Sequence, residues 1–384
     1  MYIAAAIVFF AATGLIFIQT AYPIILALIG LFVKKKRNPV TPLASRMLGM
    51  TLIIPVYKND VHMLPEKLVN CSMLNYPPEK LEILVSGDGD LPELPGIIND
   101  ASCDFSLRYH QTGTWVGKNL ALNQAVKKST GTIIVISDVD STLDPDVISM
   151  INQSMMNTQV GGCSGTVEIN RSDDSKGGIG SVQKKYWLFE KNIKKVEMDV
   201  LGSVTSCSGQ LYAVRKNLRP VIPEDVCDDI FTLLSVVKQG YCFGGLPKTS
   251  AFIPKPSKTI SGEVNRRSRI VTRELNAIWK NRQLFMQKTT FWYGVGLFCH
   301  KVVRRLIPFL LITLFITNFI LAFTGFYWAG LFACQVLFYG VSILSYHNVL
   351  NIKGMSFLSY FIAFNIGTGM GFFHFLTGKG KSKW

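Results

Sequence analysis

The chain has 384 residues, of which 48% are hydrophobic, and it carries a net charge of +15. That length allows one large domain or two smaller ones, and the hydrophobic content is high for a protein that is soluble throughout. Much of the positive charge flanks apolar segments and no nucleic-acid motif accompanies it, so we expect it to lie at a membrane surface and expect no nucleic-acid partner.

Apolar residues are concentrated at the two ends of the chain. One apolar segment runs from Ile3 to Val33, and three follow the polar centre: Leu306 to Phe323, Phe326 to Leu344 and Phe357 to Leu376. About 20 apolar residues are needed to cross a hydrocarbon core of ~30 Å. The sequence therefore predicts an N-terminal transmembrane helix with a basic stop at 1–37, three C-terminal segments at 306–376 and a basic tail at 377–384. Because the last segment contains Asn365, His374 and several glycines, a re-entrant helix remains an alternative to a third crossing.

The orientation of the chain follows from its basic residues. The first segment is too long for a cleaved signal sequence, and no positive charge precedes it. Lys34 to Arg37 follow it directly, and basic residues beside a span favour the cytoplasm. We therefore expect the N-terminus outside and residues 51–282 in the cytoplasm, with amphipathic helices at the membrane interface at 283–305. His300 is interpreted as a packing residue of that interface.

The eight cysteines show neither a CxxC motif nor a Cys/His ligand spacing. This pattern fits a reducing compartment and argues against a zinc site.

The central region alternates short apolar runs with helix-compatible stretches. Leu52–Tyr57, Leu81–Ser86 and Thr132–Ile136 are predicted strands, while a stretch ending near Leu74 and Asn119–Lys128 are predicted helices. This alternation indicates an α/β domain with a mostly parallel sheet covered on both faces. In such sheets ligands bind beyond the carboxyl ends of the strands.

Acidic residues follow two of these strands. Asp88 comes after the second strand, and Asp138 and Asp140 come after the third. Two neighbouring carboxylates repel each other, and a divalent cation with oxygen ligands relieves that repulsion. An N-cap or Asx-turn would explain one aspartate but not two as readily.

Five stretches together resemble a known family. They are IIPVYKND, EILVSGDGD, GKNLALNQAVKKSTGTIIVISDVDSTLDPD, SCSGQLYAVRK and DDIFTLLSVVKQGY, in the order and spacing of family-2 glycosyltransferases, across residues 51–282. This inverting family uses nucleotide-sugar donors and has a GT-A (Rossmann-like) fold. With its flanking apolar segments, the chain is similar to the membrane-bound chitin-oligosaccharide, hyaluronan and poly-N-acetylglucosamine synthases.

The resemblance implies a donor site. Pro55 and Tyr57 match the segment that contacts the nucleotide base, and Asp88 matches the carboxylate that holds the uracil or ribose. Lys118 matches a lysine of the donor pocket. Asp138 is implied in donor binding and, with Asp140, in holding Mg²⁺ or Mn²⁺ on the diphosphate.

The resemblance also implies an acceptor side. Ser208 and Gly209 match a segment that borders the sugar and the acceptor. Asp228-Asp229 matches the acidic pair whose second member is the general base, because only this pair keeps the usual distance to Gly240-Tyr241. Glu224-Asp225 is the competing pair, and it can instead be explained by helix N-terminal acidity after Pro223.

One motif departs from the pattern of the processive members, which carry Gln-x-x-Arg-Trp. Here Arg266, Arg269 and Ile270 occupy the aligned positions. Arg266 and Arg269 can clamp a diphosphate, although a basic amphipathic helix at the membrane surface is an alternative explanation. Without the tryptophan, long-chain processivity is in doubt.

The sequence thus predicts an integral membrane enzyme of the bacterial plasma membrane that transfers a sugar, with inversion, from a UDP-sugar to a glycan or lipid acceptor. One alternative is the transfer of a single sugar to a polyprenyl phosphate or another lipid. Another, from a different class, is a non-catalytic subunit that translocates a glycan.

Overall fold

The computed structural model describes residues 1–32, 47–102, 104–169, 179–253, 260–347, 349–350 and 356–378. Within these ranges the chain forms one mixed sheet and twelve α-helices. The strands are β1 (Met50–Tyr57), β2 (Leu81–Asp88), β3 (Ser106–Gln111), β4 (Ile133–Ser137), β5 (Thr142–Leu143), β6 (Val160–Ile169), β7 (Leu211–Arg215) and β8 (Cys242–Ile253). The helices are α1 (Tyr2–Phe32), α2 (Leu64–Ser72), α3 (Leu94–Asp100), α4 (Lys118–Lys128), α5 (Val147–Met155), α6 (Ile179–Leu201), α7 (Asp228–Lys238), α8 (Ile260–Lys280), α9 (Phe291–Leu297), α10 (Val303–Leu321), α11 (Phe326–Tyr346) and α12 (Ser356–Thr377).

The strand order across the sheet is β3-β2-β1-β4-β7-β6-β8-β5. Strands β1, β2, β3 and β4 are parallel neighbours, as are β6 and β8. Strand β7 runs antiparallel to β4 and β6, and β5 runs antiparallel to β8. In the register of β1 and β2, Tyr57 lies opposite Asp88. The residues that end β1 and β2, and Asp138 just beyond β4, therefore share one edge of the sheet.

Both faces of the sheet are buried. Along β1, Leu52 and Ile54 belong to the core on one face, whereas Ile53 belongs to the core on the other face. A parallel strand that is covered on both sides needs apolar residues at successive positions, which explains the uninterrupted apolar run of β1. The predicted α/β fold with a mostly parallel sheet is confirmed.

Three helical stretches among the described residues are long and apolar enough to cross a membrane. They are Tyr2–Phe32, Phe291–Thr324 and Phe326–Tyr346. In the second stretch, α9 passes through a π-helical turn at Phe298–Val302 directly into α10. The segment predicted to lie at the membrane interface is therefore continuous with the second apolar stretch.

Helix α12 contains the last predicted C-terminal segment and packs along α8. The Thr272 hydroxyl donates to the carbonyl oxygen of Gly371 over 2.9 Å. A Cβ atom at Gly367 or Gly371 would lie 2.8 or 2.6 Å from a backbone oxygen of α8, so these glycines permit the close approach of the two helices. The number of C-terminal membrane crossings stays a prediction.

Candidate active site

A cavity of about 370 Å³ lies at the sheet edge where β4 ends. Its wall includes eight of the residues predicted for the site: Lys118, Asp138, Ser208, Gly209, Asp228, Asp229, Arg266 and Arg269. Pro55, Tyr57, Asp88 and Asp140 lie outside this wall. The cavity extends beyond the predicted residues to Lys301 and Arg305, at the beginning of α10.

Lys118 connects two acidic elements of the site. Gly117 precedes it with φ = +95°, a backbone conformation that favours glycine, and α4 begins at Lys118. The Lys118 ammonium donates to Asp138 over 2.7 Å and lies 3.8 Å from Asp228. Burial alone would lower the pKa of Lys118, but the two carboxylates outweigh burial and raise it. Lys118 therefore stays charged and holds the end of β4 close to the start of α7.

Asp138 and Asp140 flank a tight loop after β4. Asp138 is paired with Lys118, whereas the Asp140 side chain is exposed and makes no hydrogen bond or ion pair with the described residues. Desolvation by the surrounding protein and, secondly, the Asp138 carboxylate raise the pKa of Asp140. A cation between the two side chains would relieve this repulsion.

The two carboxylates are suitable ligands for a divalent metal that also binds a substrate. Two carboxylates supply hard oxygen ligands, as Mg²⁺ prefers, and Mg²⁺ commonly takes its remaining ligands from substrate phosphates and water. No group of three or more His, Cys, Asp and Glu side chains in the described ranges is arranged to hold a metal by itself. A metal here would therefore depend on oxygens of a bound diphosphate.

Lys67, which no sequence pattern indicated, hydrogen-bonds to both sides of this loop. Its ammonium donates to the Ser137 hydroxyl over 2.8 Å and to the Ser141 carbonyl oxygen over 2.5 Å. Burial lowers the pKa of Lys67 to about 8, although Asp138 and Asp140 act in the opposite direction. Lys67 lies on α2, and only tertiary packing brings it under the loop.

The environments of Asp228 and Asp229 push their pKa values apart. The Tyr212 hydroxyl donates to Asp228 over 2.8 Å. Burial opposes the charged form of Asp228, but Lys118 and Tyr212 prevail and lower its pKa. Burial and then the Asp228 charge raise the pKa of Asp229 to about 7. Two titratable groups separated in this way are typical of acid–base sites.

Gly209 lies directly beside Asp229. A Cβ atom at Gly209 would lie 3.5 Å from the Asp229 Oδ2 atom, so a side chain there would fill the space in front of the carboxylate. The predicted acceptor-bordering segment and the predicted base are therefore brought together.

Asp225 lies elsewhere. Its carboxylate forms a partly exposed ion pair with Lys280 at 3.3 Å, and neither Glu224 nor Asp225 is part of the cavity wall. Of the two acidic pairs that compete for the role of base, only Asp228-Asp229 faces the cavity.

Four arginines of α8 line the cavity: Arg266, Arg267, Arg269 and Arg273. Arg266 and Arg267 both pair with Glu263 at 3.2 Å. Arg269 makes no hydrogen bond or ion pair with the described residues, and its pKa is lowered by burial and then by Arg273. Arg269 is thus a cation available to an anionic ligand. Ile270, which replaces the tryptophan of processive enzymes, is also part of the wall.

The residues predicted to contact the nucleotide base form a separate group at the same edge of the sheet. Asp88 is 2% exposed, and its carboxylate accepts the backbone N–H groups of Val116 and Gly117 over 2.8 and 2.9 Å. This fixes the loop that carries Trp115, whose ring lies 6.0 Å from that of Tyr57. Trp115 is 42% exposed, and no sequence pattern indicated it because it lies in a loop without periodicity.

His300 does not face the membrane interface, which differs from its interpretation in the sequence. It is fully buried, with Nδ1 2.7 Å from Glu197 and Nε2 3.4 Å from Glu190. Both glutamates lie on one face of α6. In the same segment, Lys301 pairs with Glu274 and Arg304 pairs with Glu190, so its polar groups have partners inside the protein.

Comparisons with known proteins identify the domain. A family model described as "Glycosyl transferase family 2" matches residues 51–216. This part of the chain is therefore similar to family-2 glycosyltransferases. The match covers β1 to β7 and the Asp138–Asp140 loop but ends before Asp229 and Arg269.

The relatives of this glycosyltransferase domain are distant. An N-acetylglucosaminyltransferase of Sinorhizobium fredii is 26% identical over 171 residues, which are 44% of this chain and 41% of that protein. A poly-beta-1,6-N-acetyl-D-glucosamine synthase of Staphylococcus epidermidis is 24% identical over 170 residues, which are 44% of this chain and 40% of that protein. The chain thus spans less than half the length of these curated relatives.

One solved structure is similar over nearly the whole chain. It is a mannosyltransferase from Pyrobaculum calidifontis in complex with GDP-Man and Mn²⁺, with a TM-score of 0.71 and 19% identity, covering 98% of this chain and 99% of that one. The likeness confirms the predicted GT-A fold of the glycosyltransferase domain and extends to the helices that flank it.

Proposed function

We propose that this protein is a membrane-bound inverting glycosyltransferase that moves a sugar from a nucleoside-diphosphate donor to a glycan or lipid acceptor. The observation that carries the proposal is a single cavity that joins Lys118 and Asp138, at the predicted diphosphate position, to Asp229, a carboxylate with a raised pKa. Because the relatives include N-acetylglucosaminyltransferases, UDP-N-acetylglucosamine is the first donor to test.

The donor end binds the nucleotide and holds its diphosphate. Tyr57 and Trp115 offer aromatic surfaces to the base, and Arg269 offers the diphosphate a guanidinium that has no ion pair among the described residues. Asp138 and Asp140 would hold Mg²⁺ or Mn²⁺, which stabilises negative charge on the departing diphosphate when bound. Lys118 keeps Asp138 in position for this role.

At the acceptor end, a carboxylate removes a proton from the acceptor. Asp229 takes the proton of the acceptor hydroxyl as the hydroxyl oxygen forms its bond to the anomeric carbon. The bond from that carbon to the diphosphate breaks in the same step, and its electron pair leaves with the nucleoside diphosphate. A single displacement from the opposite face inverts the anomeric centre, so an α-linked donor gives a β-linked product.

The membrane location rests on three apolar helical stretches. We infer that the catalytic domain lies on the cytoplasmic side of a bacterial plasma membrane, because basic residues follow the first stretch and nucleotide sugars are cytoplasmic. Ile270, where processive enzymes have tryptophan, supports a short product or the transfer of a single sugar.

The test uses the full-length protein, purified in detergent with native lipid extract. Radiolabelled UDP-N-acetylglucosamine, UDP-glucose and GDP-mannose are supplied separately with Mn²⁺, and organic-soluble and aqueous products are counted. We expect one UDP-sugar to label a product, with no labelling by the Asp229→Asn variant. If no donor is consumed and UDP does not bind, the proposal is wrong. If UDP binds and no donor is consumed, the non-catalytic alternative gains support.

A further inference from the structure

The cavity wall beside Asp229 includes a short segment that connects α6 to β7. This acceptor segment, Ser206–Gly209, lines the cavity along its whole length. At its end, a Cβ atom at Gly209 would lie 3.5 Å from Asp229 Oδ2. The position of the segment therefore determines how much space is open in front of the carboxylate, and the groups that hold the segment in place can affect the reaction.

Glu197 of α6 holds the beginning of this segment. Its Oε2 atom accepts the backbone N–H of Thr205 over 2.8 Å, and its Oε1 atom accepts the Thr205 hydroxyl over 2.6 Å. Both residues are fully buried, so water does not compete for these hydrogen bonds. One carboxylate thus fixes both the backbone and the side chain of the residue that directly precedes the acceptor segment.

The far part of the segment is held through a hydroxyl of β6. The backbone N–H of Ser208 donates to the Ser164 hydroxyl over 3.1 Å, and the Lys194 ammonium donates to the same hydroxyl over 3.3 Å. Lys194 lies three residues before Glu197, on the same face of α6. Helix α6 therefore anchors the segment twice, directly through Glu197 and indirectly through Lys194.

Glu197 is itself fixed by two further elements. The Tyr22 hydroxyl of α1 donates to Glu197 Oε1 over 3.1 Å, and His300 Nδ1 lies 2.7 Å from the same oxygen. Burial opposes the charged form of Glu197, but His300 and then the Thr205 hydrogen bonds outweigh burial and lower its pKa. Glu197 is therefore a buried carboxylate that connects α1 and the turn before α10 to the acceptor segment.

A buried carboxylate contributes less to stability than to geometry. The desolvation of a buried ion pair offsets much of its attraction, so an apolar pair of similar volume often stabilises a fold equally well. Hydrogen bonds to a charged group, in contrast, are short and directional. The network around Glu197 ends one residue before the acceptor segment, where a fixed geometry matters for the reaction.

We propose that Glu197 is a positioning residue of the transfer reaction. Through Thr205 it holds the acceptor segment beside Asp229 and so sets where the acceptor hydroxyl can lie. This inference rests on the proposed function, because it assumes that Asp229 takes the acceptor proton. A misplacement of about 1 Å can lower the rate of a catalysed step about a hundredfold, so a residue that touches no substrate can still control transfer.

The test removes one hydrogen bond to Glu197 on each side of its carboxylate. Thr205→Val keeps the shape of the side chain and loses the hydroxyl, whereas Tyr22→Phe loses the hydroxyl that α1 contributes. Both variants retain the contact between Glu197 and His300, so the buried carboxylate keeps a partner that Glu197→Ala would take away from His300. Thr205→Ser restores the hydroxyl and is the conservative control.

The first readout is sugar transfer by the full-length protein in detergent with native lipid extract. We expect Thr205→Val to lower transfer about tenfold or more and Thr205→Ser to restore most of it. Tyr22→Phe should transfer at nearly the wild-type rate, although it loses a hydrogen bond to the same oxygen. UDP affinity should not change in any variant, and the melting temperatures of Thr205→Val and Tyr22→Phe should fall by similar amounts.

The second readout reports the position of the segment without turnover. Cys207 lies within the acceptor segment, and Cys227 lines the same cavity just before α7. Both are half-buried free thiols. Labelling with N-ethylmaleimide, quantified for each thiol by mass spectrometry, gives a ratio within one sample. Thr205→Val should raise the labelling of Cys207 relative to Cys227, and Tyr22→Phe should leave this ratio unchanged.

The two readouts together decide the inference. It is overturned if Thr205→Val leaves either transfer or the labelling ratio unchanged, or if Tyr22→Phe alters both as strongly, because Glu197 would then have only a structural role. Failure of the proposed function is recognised separately, since the wild type would then bind no UDP or consume no donor. The labelling ratio needs neither donor nor acceptor, so it still shows whether Thr205 holds the segment.

Discussion

The two ends of the cavity are built from similar residue types in different electrostatic states. At the donor end, Asp140 and Arg269 make no ion pair with a described residue, so they remain available to a metal and a diphosphate. At the membrane-side end, which Lys301 and Arg305 line, the carboxylates Glu190 and Glu274 are already paired. The groups without a hydrogen-bond partner among the described residues there are hydrogen-bond donors. The first end suits a metal–diphosphate complex, and the second suits an anion alone.

Asp229 lines the same cavity, and its environment differs from that of Asp138. Asp138 pairs with Lys118, whereas Asp229 accepts only the backbone N–H of Ile230, over 2.8 Å, among the hydrogen bonds of the described residues. This difference leaves Asp229 able to accept a proton. It predicts that substitutions at the donor end and at Asp229 affect two separable quantities: donor affinity and the transfer rate.

The largest expected effect is on the transfer rate. Asp229→Asn keeps the side-chain volume but cannot accept the proton, so transfer should fall by about 10²–10⁴-fold, as is typical for the loss of a general base. UDP affinity should stay unchanged, because Asp229 is not part of the donor end. Single-turnover transfer and UDP binding by calorimetry provide the two measurements.

Asp225→Asn is the matched control for this prediction. Asp225 forms a surface ion pair with Lys280 outside the cavity, and exposed pairs contribute only about 0–1 kcal/mol to stability. Its transfer rate should remain near that of wild type. An inactive Asp225→Asn beside an active Asp229→Asn would assign the base to Asp225. Full activity of both would mean that the acceptor is already ionised and needs no base.

Removal of a metal ligand at the donor end is expected to lower the transfer rate by a similar or smaller factor. Asp140→Ala should lower Mn²⁺- or Mg²⁺-supported transfer by about a hundredfold or more, because a bound metal supplies several kcal/mol of charge stabilisation. The protein should remain folded, since Asp140 is exposed. Transfer is measured across a Mn²⁺ titration, with the melting temperature as the folding check. Full activity of the wild type in EDTA would exclude a metal role.

Local sequence patterns predicted the donor end better than the membrane-side end. Asp88, Asp138 and the strands before them could be found because a buried strand and its terminal residue are adjacent in the chain. Trp115 and Lys67 could not, since a loop and a helix contribute them through tertiary packing. The antiparallel pairing of β7 was likewise hidden, because an apolar run does not reveal the direction of its neighbour.

The membrane-side end was missed for a related reason. The segment around His300 has the composition of a membrane interface, and its partners Glu190 and Glu197 lie more than a hundred residues earlier. A signal was nevertheless present, because Glu190, Lys194 and Glu197 recur at the spacing of one helix face. A polar face on a helix beside predicted membrane segments indicates a buried ionic contact or a ligand.

The pH dependence of transfer should report the state of Asp229. Its pKa is raised to about 7 by burial and then by Asp228, and only the deprotonated carboxylate can accept a proton. The transfer rate should therefore fall as the pH decreases through this pKa, by about tenfold for each pH unit below it. The measurement is kcat/KM for the acceptor from pH 5 to 9, because this quantity reports the pKa of the enzyme before the acceptor binds. A flat profile between pH 5 and 8 would contradict the assignment.

The smallest effect is expected at Tyr57 and Trp115, the residues proposed to contact the nucleotide base. It tests whether donor affinity can be changed without changing the transfer rate. Trp115→Ala removes the ring beside Tyr57, and base–aromatic stacking is worth about 1–3 kcal/mol, so UDP affinity should fall about fivefold or more. The maximal transfer rate should not change, whereas Asp229→Asn should show the reverse pattern. Trp279→Ala is the control, because Trp279 is 59% exposed and contacts Arg282 away from these two residues. If Trp115→Ala left UDP affinity unchanged, or lowered it no more than Trp279→Ala, the assignment of Tyr57 and Trp115 to the nucleotide base would be wrong.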